Sequence, residues 1–385
     1  MTVNVRPAPH GLRLIAISGA NPLGFLAALG TLVVARRSGY PKARLGWERS
    51  VSWIPVLDCG SAVDPLSLCQ TLVAGMNGKQ IPSDAEERRK EAQRSFDAGK
   101  KALSDKQKDL KKRRLRGKDY KAAIDSEIQP LREAVSEKRK AWLGALKNAV
   151  PRAELALGKD VKCTEGEYRS HAFNFLEDAN PDNRETVDLL AAFGCDAPVN
   201  KYGQVTATPF CFITGAGHQY FLDTARQLMD LATTERVHAA LFEPWTYRDD
   251  RYSMRWDPLE DRRYALMDRD PTASDNKSRT VWMANLFAYR SLVLFPSAPR
   301  NRVGGTTAWN LIDKDPVFTW PIWEHPSDPD SIRSLLQLRE LKAASPDRSA
   351  LVERGIVAAF RAKRIQVGKY SNFSPARSLF ARHLG

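Results

Sequence analysis

Apolar positions along the first eighty residues fall into short β-branched runs around one long continuous block. Leu12 to Ser18 predicts a buried strand. Gly19-Ala20-Asn21-Pro22 then predicts a turn, with Asn21 as N-cap and Pro22 at the first helical position. Leu23 to Arg37 has helical character, and Ala27, Ala28 and Gly30 are small enough for close packing, until Ser38-Gly39-Tyr40-Pro41 stops it. Ala43 to Arg49 and Val51 to Leu57 read as paired strands carrying Trp47, Trp53 and Val56. Pro65 to Met76 reads as a second short helix, so the order begins β-α-β-β-α.

The pattern changes at about Ser83. From there to Lys147 large apolar residues are sparse, but Ile124, Ile128, Leu131 and Val135 recur at helical spacing, and Leu103, Leu110 and Leu115 form a weaker seam. Two antiparallel helices are expected, turning at Arg116-Gly117-Lys118-Asp119; the alternative is a solvated charged linker. After Pro151 the composition is globular again. Thr186 to Phe193 predicts a helix, and Gln204 to Thr214 a strand that would close a ferredoxin-like βαββαβ sheet. Asp223 to Phe242 predicts an amphipathic helix, Val281 to Leu294 is helix or strand, and Ser331 to Phe380 predicts two or three helices, capped at Asp330 or Ser331 and at Ser345. The expected fold class is therefore α+β. A ferredoxin-like domain spans 1–82 and 150–222, interrupted by a charged helical hairpin at 83–149. A mixed α/β region (223–330) and a C-terminal helical bundle (331–385) follow.

Charge sharpens this picture. The 385 residues carry a formal net charge of +14, an excess that points to a polyanionic partner. Asp84 to Lys140 holds 19 basic and 12 acidic residues, half of that excess. A membrane is not expected to be the partner. The longest apolar stretch, Pro22 to Ala35, is shorter than the ~20 residues of a span. The residues around Arg6, Pro7, Pro9 and His10 do not make a secretory leader. The five scattered cysteines, without a CxxC pair, fit reduced thiols in a cytoplasm and no structural zinc.

Common enzyme signatures are missing: there is no P-loop, HExxH, GxSxG or dinucleotide fingerprint, and the six histidines do not cluster. No cofactor is expected. Asp249, Asp250, Asp257, Glu260, Asp261, Asp268 and Asp270 are interleaved with arginines, a pattern of salt-bridged surface more than of a metal site.

Basic and glycine-rich groups make better candidates. Lys111, Lys112, Arg113, Arg114, Arg116 and Lys118, on the hairpin, are suited to phosphates without sequence readout. Arg248, Arg251 and Arg255 alternate with Tyr247, Tyr252 and Trp256, as in surfaces that stack unpaired bases, or as in a domain interface. Arg300 and Arg302 precede Gly304 and Gly305, where main-chain N–H groups can approach a phosphate. Gly215 and Gly217, beside His218, form a second such loop, and Arg361 and Arg364, with Lys363 between them, lie on one expected helical face that tracks a backbone or merely keeps the bundle soluble.

Three stretches carry a resemblance: Ser18-Gly19-Ala20-Asn21-Pro22-Leu23-Gly24-Phe25-Leu26-Ala27-Ala28-Leu29-Gly30, Arg255-Trp256-Asp257-Pro258-Leu259-Glu260-Asp261-Arg262-Arg263-Tyr264-Ala265-Leu266, and Trp320-Pro321-Ile322-Trp323. In this order the chain resembles CRISPR-associated proteins of type I-G loci (formerly type I-U), most of all a compact large-subunit component of the Cascade surveillance complex. The resemblance implies a non-catalytic subunit that binds crRNA and target DNA, recognises the motif flanking the target, and works with the other Cascade subunits and a recruited helicase-nuclease. It carries over no catalytic residue. Two other readings stay open: a CRISPR-associated RNA-processing or metal-dependent nuclease, for which His218 is the candidate group, and a standalone interaction protein using the hairpin as a partner arm.

Overall fold

A computed structural model describes residues 11–177, 179–181, 183–200, 203–215, 219–261, 279–300, 303–367 and 370–381. The chain is mixed α+β with several small antiparallel sheets, and it separates into two compact units, Met1–Asn77 with Lys159–Gly385, and Gly78–Gly158.

The first unit opens with β1 (Gly11–Arg13), α1 (Pro22–Ser38), β2 (Arg44–Arg49), β3 (Trp53–Asp58) and α2 (Pro65–Met76). Asn21 caps α1 by accepting from the Gly24 amide, and Asp64 caps α2 through the Leu66 and Ser67 amides. Helix α1 is buried on all sides from Pro22 to Ala35. That explains its continuous apolar run, since a helix with no solvent face needs no polar stripe. Strands pair antiparallel in the order β1-β3-β2.

The expected closing strand does not join this sheet. Between Gln204 and Thr214 only β5 (Val205–Ala207) is a strand, and it pairs with β4 (Gly194–Val199). The following segment instead drives Phe210 and Phe212 into the core, where Phe210 meets Trp256, Trp309 and Phe318 edge-on.

In the second unit α3 (Ser83–Lys112) runs antiparallel to α5 (Gln129–Asn148), with α4 (Gly117–Ala123) and a π-helical turn (Ile124–Ile128) between them. Phe96 stacks on Trp142 at 5.4 Å and 9°. A separate small core of Leu110, Ala123 and Ile128, flanked by Leu103, Leu115 and Ile124, packs the far end.

Back in the first unit, α6 (Glu165–Glu177) and α7 (Arg184–Phe193) precede β4 and β5. The single amphipathic helix expected over 223–242 is two helices, α8 (Phe221–Asp230) and α9 (Thr234–Phe242), because Thr233 accepts from the Arg236 amide and starts a new helix. After β6 (Asp249–Asp250) and β7 (Arg279–Thr280), Val281 to Leu294 is helical: α10 (Trp282–Arg290) and a 3-10 turn. Strands β8 (Ser297–Arg300) and β9 (Val303–Thr306) form a hairpin.

The C-terminal region is a sheet, not the expected helical bundle. Short helices α11 (Pro329–Leu336) and α12 (Arg348–Glu353) are capped by Asp328 and Asp347. They sit among β10 (Trp309–Ile312), β11 (Asp315–Trp323), β12 (Ile356–Val367), β13 (Tyr370–Phe373) and β14 (Arg377–Ala381). Strand β12 pairs with β11 over Ile356–Lys363, and with β14 and then β13 along its other edge. Ile356 to Phe360 is buried throughout, so this central strand shows the unbroken apolar run that also marks a buried helix.

Candidate nucleic-acid interface

The far end of the second unit holds six of the basic residues singled out above. Lys111, Lys112, Arg113, Arg114, Arg116 and Lys118 are all exposed. They gather there because α3 stops at Lys112 and the chain reverses through Arg114 (φ +51°) and Gly117 (φ +55°). Arg113 is committed to structure. It donates to both carboxylate oxygens of Glu127, at 2.8 and 2.9 Å, and lies 3.7 Å from Asp109. Lys106 reaches the same Glu127 at 2.8 Å. These hydrogen bonds, Arg113's first and Lys106's second, hold the Glu127 carboxyl down to about 2. Among the described residues, Lys111, Lys112, Arg114, Arg116 and Lys118 make no ion pair. The small core beneath and the Arg113–Glu127–Lys106 lock therefore fix a turn that presents five uncompensated cations to solvent, an arrangement suited to phosphates.

The second group divides. Arg248 and Arg251 are exposed, whereas Arg255 is buried, so Arg255 does not offer its charge to an external polyanion. It belongs to a segment with four non-glycine residues at positive φ, Tyr247, Arg251, Tyr252 and Arg255, each costing on the order of 1–2 kcal/mol. Hydrogen bonds over-determine this backbone. Trp256 Nε1 donates to the Phe210 carbonyl (2.9 Å), the Met254 amide to Asn285 Oδ1 (2.8 Å), and the Tyr247 hydroxyl to Asp257 (2.7 Å).

Asp257 also accepts from Asn21 Nδ2 at 2.9 Å, which ties the segment to the cap of α1. Trp320 Nε1 donates to the Gly19 carbonyl, at 2.8 Å, in the turn before that cap. All three stretches of the resemblance thus meet at the start of α1. The carboxyl of Glu260, enclosed by Ser253, Thr280 and Asn285, is raised to about 7, by burial first and by Asp257 second. Asp249 accepts from the Trp282 amide at 2.7 Å. Among the described residues no acidic, histidine or cysteine cluster has the geometry to hold a metal ion. Two members of the acidic set, Asp268 and Asp270, lie outside the described residues.

Gly304 and Gly305 pair with Pro299 and Ala298 inside the β8–β9 hairpin, so they are strand residues and not a free phosphate-binding loop. The Arg300 side chain, Arg302, Gly217 and His218 lie outside the described residues. Gly215 adopts φ +98°, and a Cβ there would stand 2.9 Å from the Tyr220 ring.

The C-terminal basic residues are not on a helical face. Arg361, on β12, is buried, and its guanidinium donates to Thr319 Oγ1 (2.8 Å) and to the carbonyls of Leu341 (3.1 Å), Ala343 (2.6 Å) and Ala344 (2.9 Å). It closes the open carbonyl end of the 3-10 turn Arg339–Lys342. Arg364 donates to the Pro209 and Cys211 carbonyls, each at 3.1 Å, and lies 5.0 Å over the Phe212 ring. Burial lowers the pKa of both arginines. Lys363 is exposed and paired with Asp315 at 2.6 Å. Both arginines therefore hold the protein's own backbone, and the expected strand-tracking face does not form.

No helix among the described residues is long and apolar enough to cross a membrane. The chain matches no protein-family model, and a comparison with curated proteins finds no match.

Proposed function

We propose that the chain is a non-catalytic, large-subunit-like component of a type I CRISPR RNA-guided surveillance complex, working in the cytoplasm. In this reading it holds crRNA or target DNA through phosphates beside the other Cascade subunits, and a recruited helicase-nuclease supplies the cutting. The observation that carries nucleic-acid binding is the turn of the second unit, where Lys111, Lys112, Arg114, Arg116 and Lys118 are exposed, without ion pairs among the described residues, and held on a locked frame. The assignment to a CRISPR complex rests on the three motif stretches alone. The β1-β3-β2 order, with α1 crossing between β1 and β2, supports reading the N-terminal elements as three strands of a ferredoxin-like unit.

The test has two parts. Co-expression with a guide array and neighbouring genes, followed by a pull-down on this chain, is expected to return one guide RNA in a stoichiometric complex. Recovery of the chain alone, free of RNA, overturns the subunit assignment. Separately, oligonucleotide affinity is measured against salt for the parent and for a variant with all five cations replaced by Gln. Each phosphate contact contributes a slope of about 0.7 on single strands and about 0.9 on duplex. Loss of five contacts should therefore flatten log K against log salt by roughly 3.5–4.5. An unchanged slope removes the turn from the interface.

A further inference from the structure

Strands β8 and β9 leave a pocket between their hairpin and the C-terminal sheet. Its volume is about 290 Å³, and its lining includes Pro296, Pro299, Gly305, Trp309, Gln337 and Lys342. That size is at the lower end of small-molecule sites, ~300 Å³ and upward. It suits one planar ring with its sugar and phosphate, not a dinucleotide.

The lining is built as a site is built. Two prolines supply apolar walls, and the small exposed part of the Trp309 indole lies beside them. Trp309 is itself held rigid, stacked on Phe373 at 5.7 Å and 21° and edge-on to Phe210 at 5.2 Å. The indole N–H of Trp309 is buried and has no hydrogen-bond partner among the described residues, an arrangement that protein interiors avoid unless a further group supplies the acceptor. The Gln337 side chain is exposed and that of Lys342 half-buried, and neither has a protein partner among the described residues. Lys342 is positioned by its own carbonyl, which accepts from Asn310 Nδ2 at 2.6 Å. Cross-chain bonds fix the hairpin wall: Ser297 Oγ with Thr306 Oγ1 at 2.8 Å, and the Thr307 amide to the Pro296 carbonyl at 3.1 Å.

We infer that this pocket takes a single unpaired nucleotide, its base against the proline walls beside Trp309 and its phosphate on Lys342. The chemistry selects that ligand class. A carboxamide presents a donor and an acceptor together and matches the edge of a base. An ammonium serves the phosphate, and apolar walls accept a base taken out of its stack. This rests on the nucleic-acid reading above and adds to it a place where one base leaves the strand.

The test uses full-length protein with ¹⁵N-labelled tryptophan. The Trp309 indole signal is assigned as the one lost in Trp309→Phe. Titration with nucleoside 5′-monophosphates is expected to move that signal to saturation. Lys342→Ala should weaken the effect at least fivefold, and Gln337→Ala should change the ranking among the four bases. Neither side chain makes a hydrogen bond or ion pair among the described residues, and the other indole signals report folding in the same spectrum. A signal that ignores all four nucleotides overturns the proposal, as does one that moves equally with inorganic phosphate. If oligonucleotides bind with the expected salt slope and the indole signal stays still, the pocket fails and nucleic-acid binding stands. If neither is seen, both fail.

Discussion

Replacing Arg361 with Met separates two accounts of the same residue. As a surface cation it would matter only to nucleic-acid affinity. In the structure its guanidinium donates to three main-chain carbonyls and to Thr319. Methionine keeps the length and apolar stem but none of the donors. The Leu341 carbonyl is then left buried without that donor, at about 1–3 kcal/mol, while the Ala343 and Ala344 carbonyls, partly open to water, lose less. Against this, the variant no longer buries a charge whose pKa burial already lowers. The balance is a loss of about 2–4 kcal/mol. It should be read as a lower urea midpoint with an unchanged slope. Arg361→Lys should recover only part, because one ammonium cannot span carbonyls that a planar fork reaches together. Oligonucleotide affinity of the folded variant at low salt should match the parent. A variant with the parent's midpoint and weakened affinity would refute the structural role.

Other substitutions probe other levels of the argument. Glu260, raised from 4.5 to about 7, binds its proton more tightly folded than unfolded. Stability should therefore fall by about 3 kcal/mol as pH rises from 4.5 to 7 and stay level above. Glu260→Gln should remove that dependence and stabilise the protein at pH 8, as thermal melts across this range would show. Gly30→Ala places a Cβ 1.7 Å from the Phe287 carbonyl oxygen, forcing α1 and α10 apart. A loss of at least ~3 kcal/mol, or failure to express soluble protein, is expected. Lys363→Gln breaks only an exposed ion pair with Asp315, so its melting midpoint should change by less than ~1 kcal/mol equivalent.

How much was legible followed the physics of each signal. Capping chemistry is local, so Asn21-Pro22 marked the start of α1, and the second helix was readable from Pro65 to Met76, its Asp64 cap emerging only in the structure. The Ile124–Ile128 seam likewise reported a real contact, because it packs the turn of the second unit. Strand β12 was hidden. Its Ile356–Phe360 run is apolar for a strand buried on both faces, and alanines at 358 and 359 carry no strand preference of their own. Pairing with β11 decides the matter, and that partner lies some forty residues earlier in the chain. The charges on β12 misled for the same reason. Arg361 and Lys363 stand two residues apart and so share one face of the strand, but Arg361 is covered where it meets the Arg339–Lys342 turn while Lys363 reaches solvent, a division set by packing from elsewhere in the chain. Trp309, Gln337 and Lys342 had no shared signal at all, since only the fold of β10 and the short turn before α12 brings them to one pocket.

The residues that carry the resemblance and the residues available for binding are different sets. Gly19, Asn21, Asp257 and Trp320 spend their hydrogen bonds on one another, and the Gly24 and Gly30 positions leave no room for a side chain against Ser18 and Phe287. A residue so committed cannot give its bonds to a ligand without loosening the cap of α1. Those motifs therefore report a scaffold, and substitution there should register first as lost stability. Binding falls to groups that the fold leaves unspent. At the turn of the second unit the protein has ample acid nearby, in Asp109, Asp119 and Glu127, yet Glu127 is taken by Arg113 and Lys106, and five neighbouring cations remain without ion pairs among the described residues. Unscreened like charges repel one another, so crowding them on a rigid turn raises the free energy of the unbound protein. A polyanion that brings several phosphates at once relieves that repulsion, which is why removing all five cations should flatten the salt dependence far more than removing Arg113 alone.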